Sequence, residues 1–121
     1  MVEIKLTPEA QEILMELQTF QQQMQTVIIQ RESLNLQNIE IDKALEELRK
    51  TKGEDVYKAV GPILVKSTKD ELEKELKERK ETIDLRLKSL KKQEERLRER
   101  LKGSQEKLEY ILKGQEEKTA A

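Results

Sequence analysis

Apolar residues recur in three-four alternation through two long segments of this 121-residue chain, and nothing else in the sequence restricts its fold so strongly. In the first segment Ala10, Ile13, Leu17, Phe20, Met24, Val27, Arg31, Leu34, Asn38, Ile41, Leu45 and Leu48 keep that spacing, with Arg31 and Asn38 as polar interruptions. A repeat averaging about 3.5 residues draws one stripe along an α-helix and requires another helix to cover it, the seam of a coiled coil. The second segment repeats the pattern through Leu72, Leu76, Arg79, Ile83, Leu87, Leu90, Glu94, Leu97, Leu101, Ser104, Leu108 and Ile111. Two successive four-residue steps around Ile83 predict a stutter that locally unwinds the supercoil.

Composition agrees. With 40% charged, 35% hydrophobic and 2% aromatic residues, the chain lacks the apolar bulk of an ordinary globular core. The net charge of only -1 and the fixed apolar period argue against disorder. Cysteine and histidine are both absent, which removes disulfides, thiol nucleophiles, the commonest metal ligand and the usual general base. The 25 acidic residues spread over solvated helix faces offer no catalytic pocket, so the sequence reads as a non-enzyme without cofactor or metal. No apolar run approaches the roughly 20 residues that span a bilayer, and MVEIKLTPEA lacks the apolar core of a signal peptide, so a soluble cytoplasmic protein with no membrane partner is expected.

The element boundaries follow from local chemistry. Thr7 can cap a helix that opens with Pro8 and Glu9 and runs to about residue 51, with Gly53 ending it. Thr68 and Glu71 have capping-box spacing for a second helix over about 69 to 113, leaving a frayed tail from Gly114 to residue 121. Helices of similar length joined by a short connection pack most simply as an antiparallel pair, which sets Leu45 near Leu76, Leu34 near Leu87, Phe20 near Leu101 and Ile13 near Leu108. The whole of residues 1 to 121 reads as one mainly α domain.

Between the helices lies DVYKAVGPILVKST, where residues 55 to 67 alternate with the period of a strand on both sides of Gly61-Pro62. Glycine at the first loop position suits a II′ turn. Val56, Tyr57, Val60, Ile63, Leu64 and Val65 put apolar side chains on the predicted hairpin. A lone two-stranded hairpin is marginal in water and its edges invite pairing. Several copies closing into a β-barrel would bury both faces and leave the coiled coils projecting from it. The alternative is a tight connection packed on its own helix ends.

A single hairpin reading VYKAVGPILVKSTKDEL between two heptad helices, with LKKQEERLRERL downstream, resembles the β-class subunit of prefoldin, especially its archaeal form. The similarity covers nearly the whole chain and is most specific at the hairpin. The α class carries two hairpins on a longer chain, which places this sequence with β. The resemblance implies a hexamer of two α-class and four β-class subunits, with a double β-barrel platform and six coiled-coil arms. It further implies an ATP-independent chaperone that holds unfolded proteins at the arm tips and passes them to a group II chaperonin. The chain carries no phosphate-cradling glycine motif, in keeping with that independence from ATP.

A tip that holds nonnative chains must expose apolar surface that the seam does not use. Off-seam candidates are Val2, Ile4, Leu14 and Met15 near the start and Tyr110 and Leu112 near the end, which antiparallel pairing brings together; single exposed apolar residues are the plainer alternative. Ile28, Ile29, Leu36 and Ile39 also lie off the seam, higher on the arm, and read as lining a cavity or touching a neighbouring subunit. Residues 86 to 102 hold eight basic and three acidic side chains opposite a nearly neutral stretch at 19 to 35. This basic sector reads either as a solvated face with intrahelical pairs or as a docking surface for an acidic partner such as the chaperonin. A structural tether without client binding is the rival function. A nucleic-acid-binding arm fits poorly with a pI of about 5.8 and no interleaved aromatics.

Overall fold

A computed structural model describes residues 6–53 and 55–120, with side chains described as far as residue 114. The elements run α1 (Pro8–Lys50), β1 (Asp55–Val60), β2 (Ile63–Thr68) and α2 (Lys69–Ala120). The chain divides into two compact units, residues 31–89 and residues 1–30 with 90–121.

Each helix starts where its side chains satisfy the first unpaired backbone N–H groups. Thr7 Oγ1 accepts from the Ala10 amide at 3.1 Å, and Pro8 takes the first position, where its missing N–H costs nothing. Thr68 Oγ1 accepts from the Glu71 amide at 3.2 Å, while the Glu71 carboxylate accepts from the Ser67 hydroxyl at 3.4 Å. α1 stops after Lys50, where the Thr51 hydroxyl donates to the Glu47 carbonyl at 2.8 Å. Gly53, at φ +114°, then turns the chain away from the helix. α2 passes through Gly103 and Gly114 and continues to Ala120, so neither glycine ends it. A mid-helix glycine costs only about 1 kcal/mol, which a long helix tolerates.

In the unit of residues 31–89, β1 and β2 pair antiparallel from Asp55 with Thr68 to Val60 with Ile63. Gly61 has φ +57°, as the first turn position of a II′ hairpin requires. Beside the hairpin, Ile41, Leu45 and Ile83 form a buried cluster, with Leu34, Leu76 and Leu87 packed against it. The expected neighbours Leu45 and Leu76, and Leu34 and Leu87, therefore share one core. Two polar links fix the antiparallel register. Asn38 Nδ2 donates to Asp84 Oδ1 at 2.8 Å, and Lys80 Nζ donates to Asp42 Oδ1.

The structure departs from the sequence reading at Arg79, which is exposed, whereas Lys80 is half-buried. The half-buried and buried face of α2 runs through Leu72, Leu76, Lys80, Ile83, Leu87 and Leu90, with Glu73 also half-buried, so two successive four-residue steps meet at Leu76. The double four-residue step expected at Ile83 falls at Leu76 instead. The cause is the Lys80 side chain, which lies across the seam to reach Asp42 and keeps its apolar stem against the interface.

In the unit of residues 1–30 and 90–121, the buried side chains are Ala10, Ile13, Leu17, Val27, Leu90, Glu94, Leu97 and Ser104, all at heptad seam positions. Phe20, Met24, Leu101 and Leu108 are half-buried on the same seam. The Ser104 hydroxyl donates to Glu16 Oε2 at 3.4 Å and sets the register. Arg98 Nη2 donates to Glu94 Oε1 at 3.2 Å, a charge-assisted bond within α2 that helps to accommodate a buried carboxylate.

Candidate functional site

Heptad burial uses one stripe of each helix, so function must rest on what the stripe leaves uncovered. The hairpin is the first such surface. Cross-strand partners share a face. One face therefore carries Val56, Val60, Ile63 and Val65 together with Lys58 and Ser67, and the other Tyr57, Ala59, Leu64 and Lys66. Apart from half-buried Val56, the apolar members are exposed, with Tyr57 at 63% and Leu64 at 72%. The first face is partly covered on the strand half nearer the helices, where Lys58 Nζ donates to Glu75 of α2. Lys66 and Asp55 pair at 3.5 Å across the strands. A two-stranded sheet exposing apolar residues on both faces and bare N–H and C=O groups on both edges is built to be completed by other strands.

The second surface lies at the helix ends of the unit formed by residues 1–30 and 90–121. The Glu16 to Ser104 register lays the first turns of α1 alongside the segment of α2 that holds Tyr110 and Leu112. Met15 is 68% and Tyr110 81% exposed, while Leu14 and Leu112 are half-buried at the margins of the seam. Val2 and Ile4 lie outside the described residues. Ile28 is half-buried, and Ile29, Leu36 and Ile39 are exposed off the α1 seam. Leu85 of α2, 70% exposed, belongs with these off-seam apolar residues and escaped the sequence reading, although its position two residues past Ile83 marks it as outward-facing.

Charge at the junction of helices and hairpin is arranged around Glu73. Lys77, one turn on, donates to its carboxylate at 3.1 Å, and Arg49 and Lys69 add positive charge nearby, which together hold the Glu73 carboxyl below its ordinary 4.5. Among the described residues no group of three or more acidic side chains is arranged to hold a metal ion, and no helix is long and apolar enough to cross a membrane.

An antiparallel coiled-coil subunit with one unsatisfied β-hairpin at its middle is the class of protein that these elements define. The family model described as prefoldin subunit matches residues 11–115, and the chain belongs to that family. It is similar to the prefoldin β subunit of Archaeoglobus fulgidus, 47% identical over 76 residues that span 62% of this chain and 66% of the relative. The β subunit of Thermococcus kodakarensis is 40% identical over 75 residues, 61% of this chain and 64% of its own length. The match thus spans just under two thirds of these relatives. The crystal structure of the prefoldin β subunit from Thermococcus strain KS-1 superimposes with a TM-score of 0.80 at 38% identity, covering 89% of this chain and 96% of that one.

Proposed function

We propose that this chain is a β-class subunit of a cytoplasmic, ATP-independent chaperone that captures unfolded proteins on coiled-coil tips and delivers them to a group II chaperonin. Its hairpin supplies strands to a double β-barrel platform of two α-class and four β-class subunits. The observation that carries the reading is the presence of exposed apolar side chains off the seam: Tyr57, Leu64 and Ile63 at the hairpin, and Met15 and Tyr110 near the start of α1 and the end of α2. A tether would need the first group for assembly but has no use for the second.

Capture rests on Leu14, Met15, Tyr110 and Leu112, and the same role is assigned to Val2 and Ile4 of the N-terminal sequence. Methionine and leucine can repack against varied clients, which suits a surface that must not select one sequence. Binding strength scales with the apolar area removed from water, about 25 cal/mol per Å², and needs no nucleotide.

The test is fluorescence anisotropy of a labelled, chemically unfolded protein with the assembled subunits. Replacing Leu14, Met15 and Leu112 together by Ser should weaken capture about tenfold or more, since each leucine withdrawn removes about 1.5 to 3 kcal/mol of burial when fully covered. Capture that is unchanged in a variant still assembled would refute the tip assignment.

A further inference from the structure

Beside the seam of the unit formed by residues 1–30 and 90–121, α1 and α2 leave an open groove of about 670 Å³. Val27 and Leu97 form its floor, glutamines and threonines of α1 one wall, and Gln93, Arg96 and Arg100 of α2 the other. We propose that this groove binds an extended acidic peptide segment of a partner protein.

The charge is one-sided. The chain is 40% charged, yet α1 carries no charged residue between Leu17 and Gln30, and no acidic residue lines the groove. Neither Arg96 nor Arg100 forms an ion pair among the described residues. On α2 the cations Lys77, Lys80 and Arg98 have carboxylate partners, and among the described cations that have none Arg96 and Arg100 are the two that line this groove. Two unpaired guanidiniums, each a rigid fork matched to a carboxylate, therefore face a wall that cannot neutralise them.

The spacing selects the ligand. Arg96 and Arg100 stand one helical turn apart, about 5 to 6 Å between Cβ atoms. Alternate residues of an extended peptide lie about 6.6 to 6.8 Å apart on one side, so acidic residues two positions apart reach both arginines with small adjustments of long side chains. The opposite wall fits a peptide main chain. Thr19 and Thr26 already donate their hydroxyl protons to the Met15 and Gln22 carbonyls, at 3.0 and 3.1 Å, which leaves their oxygens as acceptors for peptide N–H groups. Gln23 and Gln93 offer both donors and acceptors. A nucleic-acid phosphate backbone has no N–H to give those threonines, and no aromatic ring lines the groove for a base to stack upon.

The experiment uses the full chain and a fluorescent decapeptide with Asp at alternate positions, an Asn analogue, and an oligothymidylate of equal charge, each followed by anisotropy at two salt concentrations. The acidic peptide should bind in a salt-sensitive manner and the Asn analogue should not. The pair Arg96→Gln and Arg100→Gln should weaken binding about tenfold or more. The pair Lys91→Gln and Lys102→Gln, which removes equal charge from the same helix outside the groove, should change it less than about threefold. All four residues are exposed, and circular dichroism checks that both variants stay helical. No binding of the acidic peptide, equal losses in the two variants, or tighter binding of the oligonucleotide would each overturn the proposal. Client capture is read separately on the same variants and should be unchanged, so failure here leaves the tip assignment standing.

Discussion

Lys69 Nζ lies 3.3 Å from the carbonyl oxygen of Thr51 and the same distance from that of Arg49. The first residue of α2 thus closes the end of α1, where the last carbonyls have no helical partner and the dipole favours a cation. Lys69→Met keeps the apolar stem and removes the donor. It should lower stability by about 0.5 to 1.5 kcal/mol, seen as a reduced thermal midpoint; an unchanged midpoint would show that water serves those carbonyls equally well.

Asn38 interrupts the α1 seam beside the buried cluster of Ile41, Leu45 and Ile83. Its amide donates to Asp84, but its Oδ1 is buried without a donor among the described residues. Seam asparagines trade stability for a fixed register. Asn38→Leu should therefore raise stability by about 1 to 2 kcal/mol while widening the range of helix registers, the first read by denaturant unfolding and the second by cross-linking between α1 and α2.

The hairpin faces carry a third expectation. Leu64 stands directly across from Ala59 and next to Tyr57 on the fully exposed face. Tyr57→Lys with Leu64→Lys should abolish assembly and leave helical single chains, measured by native mass spectrometry together with circular dichroism. Each side chain withdrawn from a buried barrel costs about 1.5 to 3 kcal/mol per subunit, repeated around the ring. An intact oligomer would remove the hairpin from the platform.

Acid should weaken the hairpin junction in a defined direction. The Glu73 carboxyl is held below its ordinary 4.5, first by its hydrogen bond from Lys77 and then by the charges of Lys77, Arg49 and Lys69. A depressed native value means that the carboxylate contributes stability above its unfolded value and loses that contribution as pH falls through the native one. The stability difference between the parent chain and Glu73→Gln should be constant near neutral pH and shrink on acidification below 4.5. A difference that grows in acid would reverse the assigned sign.

The seam was legible because it repeats: spacing alone located Ile13, Leu17, Ile41, Leu45, Ile83 and Leu97 on buried faces. The hairpin was legible because β-branched residues flank a Gly-Pro turn that only one geometry satisfies. Arg79 and Lys80 were not separable, since both are long, strongly polar cations and the four-residue step from Leu72 to Leu76 drew the repeat onto a three-residue step at Arg79. What decided it was Asp42, 38 positions away, which holds Lys80 across the seam. At Arg96 and Arg100 the basic sector and the neutral stretch facing it were legible, but not the groove between them. Its walls come from segments far apart in sequence, and which of the eight basic side chains line it depends on how the two helices pack.

On this reading the assembled chain holds unfolded proteins at its helix ends without ATP. Light scattering of a chemically unfolded protein, diluted into the assembly of this chain with an α-class partner and no nucleotide, decides it. The intact assembly should suppress scattering, and one lacking residues 1 to 16 and 107 to 121, still hexameric by mass, should not. Equal suppression by the trimmed assembly, or none by the intact one, would show that the helix ends do not hold clients.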